Sequence, residues 1–244
     1  MGKQAAGLAL DGRAPRTGPS GKLPVIFSPD AFSNLLGTIT VPAIYGEAVH
    51  RFESAYSGKL GEQVASQRLS ILDDGLFPGG LGTSAADDEG IPSRRNVIIE
   101  KGVLNGFLYD VYTASEFGQK PTGSATKGSY RSPPDTGARN ILVECAPRNI
   151  DALISEIDEG LLVHEVLGAH TSNPVSGEFS VSSSLLFHIK RGELAGALKP
   201  LMLSGNFPEL LKSITGTGKD RKKVPGYPPI ITGSVSIDGV MVTG

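Results

Sequence analysis

In the first quarter of the chain, apolar and polar residues recur with a helical period. There, four apolar residues recur with the spacing of one helical face, namely Phe32, Leu35, Leu36 and Ile39. Ser28 followed by Pro29 is typical of a helix start, with the serine as cap and the proline at the first helical position. The pattern predicts a helix from Ser28 and a second one over 45–56.

Beyond Ser66 the pattern changes to short strands separated by turns. The clearest hairpin joins 96–100 to 103–109 through Lys101-Gly102, where glycine supplies a positive φ. Arg191-Gly192 predicts a second hairpin in the same way. Further strands are predicted over 67–73, 140–145, 160–166, 178–190, 192–199, 201–204, 230–231 and 235–242. Helices are predicted over 112–117, 149–157 and 206–214, and a long irregular loop over 120–137.

These elements predict one mixed, β-rich α+β domain over 23–244. Residues 1–22 are interpreted as an arm or linker, because Asp11 to Lys22 is rich in Gly, Pro, Arg and Ser. The helix over 149–157 is expected to have Asn149 as its cap and to end at Gly160.

Composition narrows the functional classes. The 244 residues carry a net charge of −2, so the chain lacks the excess positive charge that would attract nucleic acid or an anionic membrane. No window of about 18 apolar residues could span a bilayer. Cys145 is the only cysteine, so an internal disulfide and a multi-cysteine zinc cage are excluded. We expect a soluble, cytoplasmic protein that binds neither nucleic acid nor membrane, with Cys145 a buried and unreactive thiol.

His164, Glu165 and His170 form the most conspicuous candidate metal motif. The common zincin motif needs histidines four apart on a helix, and here they are six apart. Six positions correspond to about 120° around a helix or about 20 Å along a strand. Neither geometry brings both imidazoles to one zinc ion at about 2 Å. Surface or hydrogen-bonded histidines are therefore favoured, and a metal role for these three residues remains the alternative.

Acidic residues cluster at Asp73-Asp74 and at Asp87-Asp88-Glu89-Gly90. Neither cluster has the alternating oxygen ligands of a calcium loop, so turns are favoured. The sequence contains no phosphate-binding loop of the GxxxxGK[ST] type and no GxSxG serine elbow.

Small polar residues are concentrated between Gly168 and Ser183. They predict either a serine-rich strand facing solvent or a contact for a peptide or another subunit. The candidate contact residues are Thr171, Ser172, Asn173, Ser176, Gly177, Phe179 and Ser180.

An ordered series of motifs across 20–244 resembles the C-terminal domain of the TldD/PmbA family. It comprises Pro24 to Pro29, Asp87 to Pro92, Asn96 to Leu104, Thr122-Gly123, Gly177 to Ser180, Ile189 to Leu194 and Gly205-Asn206. The resemblance implies mostly antiparallel, curled sheets with a few short helices. It also implies a cytoplasmic two-subunit peptidase acting on peptides or unfolded polypeptides, in which a TldD-type subunit holds zinc and a TldE/PmbA-type subunit is non-catalytic.

The zinc ligands of the active type are missing from this sequence. In that type a His-Glu-x-x-x-His helix follows the first strand, but the corresponding residues 32–38 contain no histidine or glutamate. The active type also uses a cysteine near its C-terminus, and 219–244 has none. The resemblance therefore implies a TldE/PmbA-type subunit with no catalytic residue and no cofactor of its own, and zinc in the partner.

Three hypotheses about the function of the chain follow from the sequence. In the first, the chain binds peptide as the non-catalytic partner of a TldD-type subunit or of a second copy of itself. In the second, it is itself a metallopeptidase that uses His164, Glu165, His170 or His50. In the third, it is a dimeric assembly module. We expect the family's usual N-terminal α/β domain to be absent, so that the chain is a fragment, a split subunit or a naturally shortened homologue, and the manner of assembly stays open.

Overall fold

The computed structural model describes residues 2–244, and strands account for most of its regular structure. The strands in chain order are β1 Gly21–Phe27, β2 Ser70–Asp74, β3 Arg95–Glu100, β4 Val103–Leu104, β5 Ala125–Thr126, β6 Asp135–Thr136, β7 Ile141–Glu144, β8 Pro147–Arg148, β9 Glu159–Val163, β10 Glu178–Ser183, β11 Leu186–Lys190, β12 Glu193–Ala197, β13 Leu201–Asn206, β14 Ile214–Gly218, β15 Lys222–Val224, β16 Ile230–Thr232 and β17 Val235–Thr243. The α-helices are α1 Gly2–Asp11, α2 Pro29–Leu35, α3 Val41–Ala43, α4 Gly46–His50, α5 Val111–Glu116, α6 Ile150–Ser155 and α7 Phe207–Lys212. A π-helical turn, Leu36–Thr40, joins α2 to α3, and a 3-10 turn covers Ala169–Thr171.

Two sheets form the framework. The larger has nine strands, with the order β10-β13-β17-β1-β9-β11-β12, and in addition β14 pairs with β17 and β8 pairs with β14. The smaller has six, in the order β15-β16-β7-β2-β3-β4, and β5 and β6 form a separate ribbon. Most neighbours are antiparallel, but β1 runs parallel to β9, β14 to β8 and β16 to β7. The mostly antiparallel, β-rich α+β class is confirmed.

One hydrophobic cluster contains residues from both sheets and from α2. Phe32 and Phe207 meet at 5.9 Å between ring centres, and Phe179 packs edge-on against Phe207 at 6.1 Å. The four residues of the predicted helical face, Phe32, Leu35, Leu36 and Ile39, all belong to this cluster. A smaller cluster lies under α6, on the other face of the large sheet.

Both predicted hairpin turns are confirmed by their backbone angles. Lys101 and Gly102 have φ of 47° and 82°, and Arg191 and Gly192 have 53° and 76°. Positive φ at both central residues matches the twist of the flanking strands, which is why glycine is favoured at such turns. The predicted cap at Ser28 is also confirmed, since its hydroxyl accepts the Ala31 N–H at 3.2 Å.

Several predicted boundaries are wrong. The helix over 45–56 ends at His50, because Phe52 adopts a left-handed conformation. Gly160 does not end α6 but lies in β9, close against the Pro24 carbonyl. The strand predicted over 178–190 is two strands, since Ser184 and Leu185 separate β10 from β11.

The first residues differ from expectation as well. The alanine- and leucine-rich start of the interpreted arm is helical in α1, consistent with the strong helix propensity of these residues. After it, Arg16 lies alongside the end of β12, accepting a backbone hydrogen bond from Lys199 and donating one to Ala197. Met1 lies outside the described residues. No helix among residues 2–244 is long and apolar enough to cross a bilayer.

Candidate functional site

An open cleft of about 430 Å³ lies between α2 with its π-helical turn and the loop over 224–228. On the helical side, the cleft is lined by residues with short or polar side chains, namely Asp30, Ser33, Asn34, Gly37 and Thr38. Glu165 and Val166, which follow β9, complete the lining together with the loop and Ile230. This cleft lies against residues 32–38, the segment that the family resemblance implies to correspond to the metal-binding helix of the active type.

A π-helical turn continues α2 along the cleft. Ser33 and Thr38, about 140° apart on a regular α-helix, lie on the two sides of the helical face that lines the cleft. The Val41 N–H bonds to the Leu36 carbonyl, which is the i→i+5 bond of a π-helix. Pro42 gives a local cause, because it cannot donate to the Thr38 carbonyl and its ring disfavours a regular helix there.

The residues facing this cleft do not fit a zinc ion. Zinc in proteins is held by imidazole, thiolate or carboxylate groups, whereas Ser33, Asn34 and Thr38 offer hydroxyl and amide groups. Asp30 and Glu165 are the two carboxylates of the lining, and two carboxylates are fewer than the three protein ligands that a zinc site needs. The Thr38 hydroxyl is already used, since it donates to the Asn34 carbonyl at 2.8 Å. Across residues 2–244, no group of three or more His, Cys, Asp or Glu side chains is close enough to hold a metal.

The rim of the cleft carries an ion pair and an exposed tyrosine. Lys222 Nζ lies 2.8 Å from Asp30 Oδ1, and the two side chains are about half exposed. Tyr227 is 96% exposed at the tip of the loop. A second open cleft, of about 420 Å³, lies against the same loop and is lined by Thr83, Asp88, Lys127 and Arg139 among others. The loop thus separates two polar clefts.

His164, Glu165 and His170 occupy three different environments. His164 directly follows β9 and packs edge-on against Phe187 at 5.5 Å. Burial lowers the pKa of its imidazole below the usual value. Glu165 is exposed at the cleft, and His170 is exposed on the 3-10 turn. The predicted strand over 160–166 ends at Val163, so the motif lies in a connecting segment.

His50, the other histidine named for the metallopeptidase alternative, lies at the end of α4. Its Nε2 is 3.1 Å from the Tyr109 hydroxyl, and its ring stacks on Phe117 at 4.2 Å between centres. The groove beside His50 is described below.

The candidate contact segment divides into exposed and buried positions. Thr171, Asn173, Ser176 and Ser180 are exposed, Ser172 is half-buried, and Gly177 and Phe179 are buried. Gly177 has a φ of 79°, and a side chain there would meet Pro208 Cδ at 2.3 Å. Phe179 points into the core. Exposed side chains for a peptide or subunit are therefore provided by the four polar residues.

The outer edge of β10 is already partly covered by the chain itself. Ser182 exchanges two backbone hydrogen bonds with Leu167, and the Glu178 carbonyl accepts the Asn173 N–H at 2.9 Å. In a strand, every second residue points its backbone N–H and carbonyl to the same side. Ser180, two residues from both Glu178 and Ser182, therefore presents its N–H and carbonyl on this outer side. Neither group forms a bond to the described residues on that edge. Addition of a further strand is limited to the neighbourhood of Ser180.

The two acidic clusters have structural roles. Asp87 accepts the N–H groups of Glu89 and Ile91 through Oδ1 and that of Ala125 through Oδ2. The predicted turn at Asp87 to Gly90 is therefore confirmed, with Gly90 at a φ of 84°.

Asp73 is fully buried in β2, which the sequence did not distinguish from an ordinary turn aspartate. Four donors reach its carboxylate: the N–H groups of Arg139 and Asn140, the Asn96 amide and the Ser124 hydroxyl. Burial nevertheless raises the pKa of Asp73 to about 6, against the opposing effect of these hydrogen bonds. In the sequence, only the alternating apolar pattern of this strand indicated that Asp73 is buried.

Cys145 is half-buried at the end of β7 rather than buried as predicted. It lines a cleft of about 410 Å³ together with Lys219 and Arg221.

Known proteins resemble this chain in sequence and in structure. Residues 20–244 match the family described as the PmbA/TldA metallopeptidase C-terminal domain. An uncharacterised protein of Methanocaldococcus jannaschii is 35% identical over 188 residues, covering 77% of this chain and 44% of the relative. A metalloprotease TldD homologue of Haemophilus influenzae is 27% identical, covering 97% of this chain and 52% of the relative.

The crystal structure of TldE from Thermococcus kodakarensis superposes with a TM-score of 0.93 at 31% identity. It covers 99% of this chain and 55% of the TldE chain. The chain thus spans about half the length of the relatives it matches. Because a family profile matches nearly the whole chain, the chain belongs to the TldD/PmbA family of metallopeptidases, and its residues 20–244 correspond to the family's C-terminal domain.

Proposed function

We propose that this chain is a non-catalytic, TldE-type subunit that works in the cytoplasm with a zinc-bearing TldD-type subunit. In this assembly the partner hydrolyses the peptide bond, and the present chain contributes assembly contacts and a peptide-binding surface. A second copy of this chain is the alternative partner. Membership of a peptidase family supports a part in peptide hydrolysis. The chemistry of the cleft supports the more specific role of a non-catalytic subunit.

The observation that carries the proposal is the face of α2 at the cleft. A hydrolytic zinc needs three protein ligands and a polarised water. At the positions matched to the metal-binding helix, Ser33, Asn34 and Thr38 line the cleft and supply no such ligand. The cleft itself is open and polar, and its exposed Asn34 amide and the oxygen of the Thr38 hydroxyl can form hydrogen bonds with peptide backbone.

The exposed residues of the contact segment serve assembly in this proposal. Thr171, Asn173, Ser176 and Ser180 present small polar side chains beside an incompletely covered strand. Such a surface permits close approach of another backbone and hydrogen bonding to it. We assign this surface to the partner subunit, and the cleft beside α2 to the peptide.

The proposal is tested by purifying the chain alone and together with a TldD-type chain that has an intact His-Glu-x-x-x-His motif. We expect no stoichiometric zinc and no cleavage of an unfolded peptide by the isolated chain. The co-purified pair should contain one zinc per pair and should cleave the peptide.

The matched controls separate the rival functions. If the chain is itself a metallopeptidase, His164→Ala abolishes an activity that the isolated chain already has. If it is only an assembly module, the pair forms, but a bulky substitution in the cleft, Thr38→Trp, leaves peptide affinity unchanged. Either result would contradict the proposal.

A further inference from the structure

A second groove, with an apolar lining, lies beside α4 and the turn that follows β4. Its volume is about 790 Å³. The residues that line it are Val49, His50, Phe52, Gly58, Leu60, Asn105, Gly106, Phe107, Tyr109, Gly118, Gln119, Lys120 and Thr122. None of these residues belongs to the cleft beside α2 or to the contact segment.

Phe52 occupies a backbone conformation that costs free energy. Its φ is 59°, and the bonds from Phe52 N–H to the Val49 carbonyl and from Glu53 N–H to the Ala48 carbonyl define a Schellman end to α4. Glycine is strongly preferred at this position because a side chain is strained in the left-handed region. Here the position holds a phenylalanine whose side chain is 79% exposed.

A second large apolar side chain is exposed at the same groove. Leu60 is 61% exposed, and the half-buried Phe107 joins the groove to the core. A contiguous apolar surface that water covers in the free protein is typical of a site that binds an apolar partner. The combination of strain and exposure at Phe52 is unfavourable in the isolated chain, and an apolar ligand would offset the exposure.

The polar groups of the groove indicate one charged feature of that ligand. Of the described residues that line it, Lys120 alone carries a formal charge at pH 7, and it is positive. His50 lines the groove as well, with its Nε2 held 3.1 Å from the Tyr109 hydroxyl. No carboxylate lines the groove, so a negative group on the ligand would have an attractive partner and no repulsive one.

We propose that this groove binds the C-terminal residue of an apolar peptide, with its side chain against Phe52 and Leu60 and its terminal carboxylate at Lys120. The site is separate from the cleft beside α2 and needs no zinc-bearing partner. It would hold a polypeptide end away from the place where the partner acts.

The test uses a short fluorescein-labelled peptide that ends in Leu-Leu, with either a free carboxylate or a C-terminal amide, and measures fluorescence anisotropy with the isolated chain. We expect the free acid to bind about fivefold more tightly than the amide, the effect of one partly exposed ion pair. Lys120→Gln should make the two peptides equal.

Phe52→Gly separates binding from folding. Because glycine suits the left-handed position, this variant should melt about 2–4 °C higher than the unaltered chain and still bind the acid peptide about tenfold more weakly. Tyr130→Ser is the matched control, because it removes another largely exposed ring, 85% exposed, that does not line the groove. It should leave the affinity unchanged.

Equal affinities for acid and amide, or unaltered binding by Phe52→Gly, would overturn this proposal. Thr38→Trp distinguishes its failure from failure of the proposed function, since that variant blocks only the cleft beside α2. Binding that is lost in Thr38→Trp but kept in Phe52→Gly would place the apolar peptide in the cleft and contradict the groove. Binding of an apolar protein surface but of neither peptide would likewise contradict it.

Discussion

Val41 donates its backbone N–H to the carbonyl of Leu36, five residues earlier, in the π-helical turn beside the cleft that Ser33 and Thr38 line. The spacing of the two cleft residues equals the spacing of the two histidines in His-Glu-x-x-x-His. Both positions therefore line one cleft in this chain, whereas neither of them holds a zinc ligand.

The first prediction restores ligands at these two positions. The double variant Ser33→His and Thr38→His should bind zinc, with Glu165 of the same cleft as a possible third ligand. Isothermal titration calorimetry should detect binding that the unaltered chain lacks.

A matched control places the histidines side by side, at Ser33 and Asn34. Because neighbouring helical residues point about 100° apart, this control should bind zinc much more weakly. Equal zinc affinity in the two variants would show that side chains at positions 33 and 38 do not face one ion. Circular dichroism must show that both variants retain the fold, since Ser33 is buried.

The second prediction concerns Asp73 and pH. Its folded-state pKa is about 6, against an ordinary value of 3.8, so the folded protein holds this proton over a range in which the unfolded chain has released it. The contribution to stability is therefore lost as pH rises from about 4 to about 6, and amounts to about 3 kcal/mol at 1.36 kcal/mol per pH unit.

Asp73→Asn removes the titrating group. Urea unfolding at several pH values should show that the unaltered chain loses stability between about pH 4 and 6 relative to the variant. The amide oxygen can still accept the N–H groups of Arg139 and Asn140. A parallel pH dependence in both proteins would refute the raised pKa.

The third prediction is that Gly46→Ala destabilises the fold. A side chain at Gly46 would lie 2.0 Å from Tyr109 Cε1, so the tyrosine ring must move and its contact with His50 is disturbed. The cost should be about 1–3 kcal/mol, as for overpacking in a core. Gly106→Ala is the control, because its added carbon meets only the Val97 carbonyl at 3.8 Å. Similar urea midpoints for both variants would count against the packing seen at Gly46.

The fourth prediction tests the edge of β10. Ser180→Pro removes the outward N–H, which no described residue accepts, so the fold should tolerate it. Co-purification with a TldD-type chain should be weakened if the subunits meet there. Val181→Pro is the contrasting variant, since its N–H points towards β13 and its loss should destabilise the sheet. Undiminished co-purification of the Ser180→Pro chain would exclude this edge from the interface.

The sequence predicted those features that depend on local rules. The cap at Ser28 and the turns at Lys101-Gly102 and Arg191-Gly192 follow from side-chain chemistry within a few residues, and all are present. The buried face of α2 was predicted for the same reason.

Features that depend on contacts between residues distant in sequence could not be predicted from these local rules. The burial of Asp73 depends on donors from Asn96, Ser124 and residues 139–140, all distant in sequence. The shortening of the second helix depends on Phe52, a residue type that rarely adopts a left-handed conformation and so gave no signal. The cleft itself needs α2, Glu165 and the loop over 224–228 together.

The central claim is that this chain leaves the zinc chemistry to a partner. Metal analysis of the isolated chain by inductively coupled plasma mass spectrometry, after purification in the presence of zinc, tests this claim most directly. The account predicts about a tenth of an equivalent of zinc per chain or less, because the cleft has two carboxylates, Asp30 and Glu165, and no imidazole or thiolate. One tightly held zinc per chain, lost on His164→Ala, would contradict it.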